Sequence, residues 1–468
     1  MASRLLRGGA LLALLSVLAT CWFLHRYFGS LTPQQVLVHL VQGGLDQADP
    51  AVWRRAARYA LVTVLLAVAL GWLMARLAVH WRRLLWGALA AGAVVSVGAT
   101  LHDPCDPSEA DLLAERYVDP GRVRLQQASG LADAPDLLIV FVESLDEAYA
   151  HPRSGRPPLV PELVVWRQPQ RQPGQLRMLD GAHWTMGGMF AALCGLHLQP
   201  VGLVSRGDYE RTGAFFAGGT CLTDLLAAQG WELSFHGGSS LAFAGKGRFL
   251  SDHAVARRFG REQWRERGLA LPASGWGLQD HQLVQQVWSD IDGDRRPARA
   301  RPPQAHLMLT VNTHAPFGNL EPGCGTPTQA LDDDDDDEAT LRAALRCTDA
   351  SVAALVQRFT ARADGRPKLV WVMGDHVMPR AVLADETDPA QPRQGVFAAW
   401  ALFDGQGREV TPALQPRAFS HVDVLPTLAE AAGLRWQPHA HRLGLGVSLL
   451  APDAGGTLLE QQGSVWLE

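Results

Sequence analysis

The chain has 468 residues, 47% of them hydrophobic, with 47 acidic against 42 basic residues and a formal net charge of −5. That balance leaves no basic footprint for nucleic acid, and the length has room for several folded units. Apolar residues are spread unevenly, and their distribution makes the first division.

Three apolar runs, Gly8–Leu24, Tyr59–Val79 and Leu84–Leu101, approach the ~20 residues that a bilayer-spanning helix needs, and none of that length recurs later. Arg4 and Arg7 precede the first run, while Arg76, Arg82 and Arg83 lie between the second and third. Basic residues favour the cytoplasmic side, so three spans leave everything beyond Leu101 outside. If the first run is a cleaved signal peptide, two spans remain and the outside placement stands. Arg54, Arg55 and Arg58, on the outer side, count against this arrangement. Between the first two runs, Leu31, Val36, Leu37, Leu40, Val41 and Leu45 recur at helical spacing, which fits an amphipathic helix at the interface or packed on the spans. The predicted division is a membrane domain over 1–101, a linker over 102–134 with a short helix at Leu112–Tyr117, and a folded domain over 135–468.

The folded domain alternates short apolar runs with helical patterns, as α/β domains with a mostly parallel central sheet do. Predicted strands are Leu137–Val142, Trp231–Phe235, Leu307–Val311 and Leu369–Met373. Predicted helices are Leu222–Gln229 and Val424–Ala432, the latter opened by Asp423. The acidic run Asp332–Glu338 lacks the alternation and turning glycine of a calcium loop, so it reads as a solvated loop. Cys21 lies in an apolar run and Cys105 just past the last one. Cys194, Cys221, Cys324 and Cys347 fall in the outer domain, where disulfides persist. Four cysteines allow three pairings. Neighbour pairing, Cys194–Cys221 and Cys324–Cys347, is preferred, each bridge contributing about 2–4 kcal/mol.

In open α/β sheets, ligands gather at the carboxyl ends of strands. Glu143 directly follows Leu137–Val142, Asp375 and His376 follow Leu369–Met373 after one glycine, and His314 follows Leu307–Val311. Thr185, in His183-Trp184-Thr185-Met-Gly-Gly188, falls at the start of a predicted helix. Unpaired N–H groups there suit a phosphate or sulfate, and a plain N-cap is the simpler alternative. Glu143, Asp375, His376 and Thr185 form an O/O/N/O donor set that fits Mn²⁺, Mg²⁺ or Zn²⁺, leaning towards the first two. Metal coordination would also make the threonine hydroxyl a competent nucleophile. Lys246 and Arg248, in a glycine-flanked loop, are candidates to clamp a phosphate. Trp184 is a candidate substrate wall or a packing residue. His236, ending a predicted strand, reads as a structural or surface histidine with site-lining as the alternative, and Asp280, after Trp276-Gly-Leu-Gln, reads as a helix start.

These motifs resemble the sulfatase-like branch of the alkaline phosphatase superfamily, above all bacterial membrane enzymes of the lipoteichoic acid synthase and phosphoglycerol transferase I type. The resemblance covers spans, linker and outer domain. It implies that Glu143 of Phe-x-Glu-Ser, Asp375 and His376 are metal ligands, that Thr185 of Thr-x-x-Gly is both nucleophile and ligand, and that His314 of Thr-His-x-Pro contacts the transferred phosphate. The stretch Phe243-Ala-Gly-Lys246-Gly-Arg248-Phe249-Leu, with Cys194-Gly and Cys221-Leu, is most similar to periplasmic-glucan phosphoglycerol transferases. His421-Val-Asp423-Val-Leu-Pro-Thr427 is superfamily-wide. The Cys/Ser-x-Pro-x-Arg motif of sulfatases is not present at Thr185, and an Asp-Asp pair on the first strand is missing, so a single metal is expected.

The function so implied is transfer of phosphoglycerol from phosphatidylglycerol to a periplasmic glucan or other glycan or polyol, through a covalent threonine intermediate. The setting is the outer face of a bacterial inner membrane, with one divalent metal, Mn²⁺ first, and no nucleic acid. Rival expectations are a phosphoethanolamine transferase, a phosphodiester or sulfate ester hydrolase, and a non-catalytic membrane sensor.

Overall fold

The computed structural model describes residues 2–28, 50–100 and 115–462, except 128–129, 131–132, 152–156, 180, 199–214, 217, 273–274, 295, 316–317, 323, 325–333, 379–382, 384–394, 415–416 and 452–454. The expected amphipathic helix at Leu31–Leu45 and the first half of the Leu112–Tyr117 helix lie outside the described residues.

Helices α1 (Ala2–Phe28), α2 (Pro50–Arg76) and α3 (Val79–Thr100) coincide with the three apolar runs. Helix α1 packs on both others, and Gly71 and Gly92 face Leu11 and Leu18. Among the described residues two helices are long and apolar enough to cross a membrane, over Arg7–Leu24 and Trp53–Arg76. Arg82 and Arg83 lie within the first turns of α3, ahead of its apolar run. Leu61, Leu65, Leu66 and Val68 of α2 and Val94 and Val95 of α3 remain exposed, a surface suited to lipid.

The folded domain after the N-terminal helices is built on a six-stranded sheet. Its strands are β1 (Asp136–Val142), β2 (Glu232–Gly237), β3 (Arg257–Phe259), β4 (Gln304–Leu309), β5 (Lys368–Gly374) and β6 (Ala398–Phe403), in the spatial order β3-β2-β4-β1-β5-β6. All neighbours are parallel except β6, which runs antiparallel to β5. β1 is central, with Leu137 opposite both Ala305 and Leu369.

Period-two alternation splits this sheet between two cores. Leu137, Ile139 and Phe141 join Leu307, Trp371 and Trp400 on one face. There they meet α4 (Thr185–Cys194), α5 (Leu222–Ala228) and α9 (Val424–Ala431) through Met189, Leu226 and Leu428. Leu138, Val140 and Val142 face the other way, onto α7 (Asp280–Gly293) and α8 (Asp334–Thr360) through Val287, Leu345 and Val356. Being covered on both faces, β1 and β5 are buried along their whole length, which is why they read as unbroken apolar runs.

Two expectations are corrected. The acidic run is helical from Asp334 onward, opening α8. The linker ends early: Val118 bridges Gly444, and Arg124–Gln127 pairs antiparallel with Leu434–Gln437, so these residues are stitched to the outer domain. Both preferred disulfides are formed, Cys194–Cys221 and Cys324–Cys347.

Candidate metal centre and nucleophile

The carboxyl ends of β1, β4 and β5 meet at one edge, and Glu143, the loop after β4 and Asp375-His376 emerge there. Thr185 is the first residue of α4, with Trp184 as an extended N-cap whose side chain does not cap the helix. Its hydroxyl donates to Glu143 Oε2 at 3.2 Å. Glu143 Oε1 lies 3.2 Å from His376 Nε2, and Asp375 Oδ2 lies 3.6 Å from that nitrogen. One ligand atom from each of Glu143, Asp375 and His376 falls within 4.8 Å of the others. The four residues expected to gather do so, although they are spread over 230 positions of chain.

Second-layer contacts fix each group. Ser144 holds a left-handed backbone, φ 55°, a strained choice for a non-glycine residue. In return its hydroxyl donates to Glu143 Oε1 at 2.8 Å and its N–H to Asp375 Oδ1 at 2.8 Å. Thr310 Oγ1 accepts from the Glu143 N–H at 2.9 Å, and Thr313 Oγ1 donates to the Glu143 carbonyl at 2.5 Å. The His376 N–H donates to Asp375 Oδ1 at 2.8 Å, and its Nδ1 is engaged by the Val377 carbonyl at 2.8 Å. That leaves Nε2 turned to the carboxylates.

The electrostatics follow from burial. Burial alone would raise the Glu143 pKa, but the imidazoles of His314 and His376 outweigh it and hold the group well below the usual carboxylate range. Burial, reinforced by the Glu143 charge, pushes Asp375 up to about 7. Burial disfavours a charged His376, yet Asp375 and Glu143 drive it up to about 10. Asp375 Oδ2 is buried without a hydrogen-bond partner. A buried carboxylate pair with an orphaned oxygen, an imidazole nitrogen and a hydroxyl suits a hard divalent cation, which would satisfy both charges at once. The residues present therefore fit one metal. The other candidate group among the described residues, Cys221, Asp224 and His253, loses its sulfur to the Cys194–Cys221 bridge.

The flanking residues divide. His314 engages the Ala315 carbonyl through Nδ1 at 2.6 Å and packs against Trp276 in a tilted contact with ring centroids 4.2 Å apart. Lys246, 2% exposed, donates to Ser239 Oγ at 2.8 Å. Burial pulls its pKa down to about 8, against the opposing pull of Glu143 and Asp375. Arg248 instead pairs with Asp252 at 2.8 Å and its side chain is 56% exposed. The Trp184 indole folds back over Gly187 of its own helix, so it packs locally. His236 points away from the site, bonded to Asp290 at 2.9 Å and stacked on Phe259 and Trp264. His421 is buried behind the backbone of Gly374 and Asp375, and burial pushes its pKa down to about 4.

Sequence reasoning assigned no part to Ser144, Thr310, Thr313 or Trp276, and it read Asp280 only as a helix start. Ser144 and Thr313 adjoin named ligands inside quoted motifs, and that adjacency was the available signal. For Thr310 and Trp276 there was none beyond their place at element ends.

No family model matches the chain. Over 324 residues it is 30% identical to phosphoglycerol transferase I of Xanthomonas euvesicatoria pv. vesicatoria, which takes in 68% of this chain and 43% of that protein. Over 317 residues it is 25% identical to phosphoglycerol transferase I of Escherichia coli strain 55989, 66% of this chain and 40% of the relative. The chain thus spans less than half the length of the curated relatives it matches. Among solved structures, the lipoteichoic acid synthase LtaP of Listeria monocytogenes superposes with TM-score 0.51 at 13% identity, over 73% of this chain and 81% of that one. The lipooligosaccharide phosphoethanolamine transferase EptA of Neisseria meningitidis, an integral membrane protein, superposes with TM-score 0.50 at 12% identity, over 92% of this chain and 84% of that one. Over the matched residues the chain is similar to proteins named phosphoglycerol transferase I, and its fold is that of the lipoteichoic acid synthase LtaP and of EptA.

Proposed function

We propose that the outer domain transfers phosphoglycerol from phosphatidylglycerol to a hydroxyl of a periplasmic glucan, or of another glycan or polyol, through a phosphodiester on Thr185. The observation that carries this reading is the Thr185 hydroxyl at the first residue of a buried helix, 3.2 Å from Glu143 Oε2.

In the first step the Thr185 Oγ–P bond forms and the P–O bond to diacylglycerol breaks. The threonine proton passes to the departing diacylglycerol oxygen. The N–H groups opening α4 and the His314 imidazole hold the phosphate oxygens as negative charge grows on them. In the second step an acceptor hydroxyl attacks phosphorus, the P–O bond to Thr185 breaks, and the threonine recovers a proton. A divalent cation held by Glu143, Asp375, His376 and Thr185, Mn²⁺ before Mg²⁺ or Zn²⁺, would supply charge neutralisation and acidify the hydroxyl.

Lys246, a buried cation that feels the Glu143 and Asp375 charges, would bind the phosphate that both donors share. The apolar N-terminal helices support a place at the inner membrane, with the outer domain on the periplasmic side within reach of a lipid donor.

The test uses full-length protein in detergent with Mn²⁺, given phosphatidylglycerol or phosphatidylethanolamine. Diacylglycerol release from phosphatidylglycerol, abolished by Thr185→Ala, is the expected result. Release only from phosphatidylethanolamine would identify the phosphoethanolamine reaction. Free glycerol phosphate formed equally with and without glucan would mark a hydrolase.

A further inference from the structure

Resting on that reading of the site, we propose that the segment Trp276–Asp280 is the positioning element for His314, with Trp276 the residue that sets its imidazole plane. The segment is fastened at both ends. Asp280, fully buried, accepts from the N–H of Val311 at 2.8 Å and of Asn312 at 3.2 Å, and from Thr348 Oγ1 at 2.6 Å. Those two peptides begin the loop that carries His314, whose own N–H donates to the Val311 carbonyl at 3.2 Å.

At the other end Gly277 bridges Ser239, and Leu278 N–H donates to the Gly238 carbonyl at 3.0 Å. A β-carbon at Gly277, φ +157°, would stand 2.0 Å from that carbonyl oxygen, so only glycine permits the approach. Ser239 is the residue that receives the Lys246 ammonium. Five consecutive residues therefore tie the mount of His314 to the mount of Lys246, two groups assigned here to the phosphate.

Within this brace the Trp276 indole covers the His314 ring at 4.2 Å and 38°, and Phe243 meets the indole edge-on at 5.4 Å. The Nδ1 contact with Ala315 holds one edge of the imidazole and the indole packs against its face, so the two together restrain rotation of the ring. A hydrogen-bonding group locked in this way acts at the reacting centre without first being ordered.

The experiment compares full-length parent protein, Trp276→Leu, Trp276→Phe, His314→Gln and the double variant Trp276→Leu/His314→Gln in detergent with Mn²⁺. It reads turnover of phosphatidylglycerol, affinity for inorganic phosphate in a Thr185→Ala background, and melting temperature. Trp276→Leu is expected to lower kcat about tenfold or more with KM little changed and melting held, and Trp276→Phe to recover most of it. Phosphate affinity should fall with Trp276→Leu only while His314 is present, because the two act as one unit. An equal loss of phosphate affinity in the His314→Gln background overturns the proposal, as does unchanged kcat in Trp276→Leu. Phosphate binding that behaves as expected without diacylglycerol release would reject the donor assignment and support the role of Trp276.

Discussion

Gly188 lies against the backbone carbonyl of Asp375 so closely that a β-carbon on it would stand 1.8 Å from that oxygen. The glycine of Thr-x-x-Gly is therefore a spacer. It lets the helix bearing Thr185 come down onto the loop bearing two proposed ligands. Gly188→Ala should push α4 off this loop, costing about 1–3 kcal/mol of stability through overpacking. Turnover should fall by about 100-fold from misplacement of the hydroxyl. Diacylglycerol release and a denaturant melt of one preparation check both; normal turnover would show that the close approach is dispensable.

Chelation is expected to abolish turnover, and Mn²⁺ to restore it. The cation should also raise the melting point, since at a concentration about 100 times its Kd a ligand of the folded state adds about 2.7 kcal/mol. Glu143→Gln should lose both the turnover and the cation-dependent rise in melting point. A calorimetric scan with and without Mn²⁺ reads the second effect independently of substrate.

Lys246 and Arg248 stand two residues apart and should behave oppositely. Lys246→Ala is expected to lower kcat/KM for phosphatidylglycerol by about 100-fold, the scale of losing a charge-assisted phosphate contact. Arg248→Ala removes a surface pair worth at most about 1 kcal/mol and should leave kcat/KM within about twofold. Equal losses in the two variants would place Arg248 in the site after all.

His306 predicts a pH dependence of stability. It is buried on β4, 2.8 Å from Ser234 Oγ, and burial, with the nearby His236, pushes its pKa from 6.5 down to about 3. The unfolded chain takes up a proton near pH 6.5 that the folded chain refuses until about pH 3. Its contribution is thus fully present above pH 6.5 and is lost as pH falls through that window, with a slope of up to about 1.4 kcal/mol per pH unit. Denaturant melts at pH 7.5 and 5.5 should show a smaller loss in His306→Gln than in the parent. Identical losses would mean that this histidine does not drive the acid response.

The strands β1 and β5 were legible because both faces are covered, which leaves a plain apolar run ending at a carboxylate. Arg124–Gln127 was not, because its burial alternates between exposed and half-buried and nothing in Arg-Leu-Gln-Gln marks a strand. Lys246 and Arg248 were paired in the reading because they are close in sequence. On the helix Lys246–Asp252, however, two residues are about 200° apart, so one faces in and the other out. Of the two readings of His236 the structural one holds: it shares its strand face with Ser234, towards α7, while Leu233 and Phe235 join the opposite core. The ligand set was legible because it follows element ends. Its supports were not, since a left-handed serine or a carboxylate capping a distant loop appears only once the chain is folded.

The pairing of Arg124–Gln127 with Leu434–Gln437, together with the Val118–Gly444 bridge, shortens the leash on the outer domain. Between Thr100 and Val118 run residues 101–117, which could span no more than about 60 Å even if fully drawn out. With α1 and α2 seated in a bilayer, such a leash would keep the domain within that distance of the surface, so under the proposed reaction a lipid donor would stay within reach while a dissolved acceptor would have to travel to it.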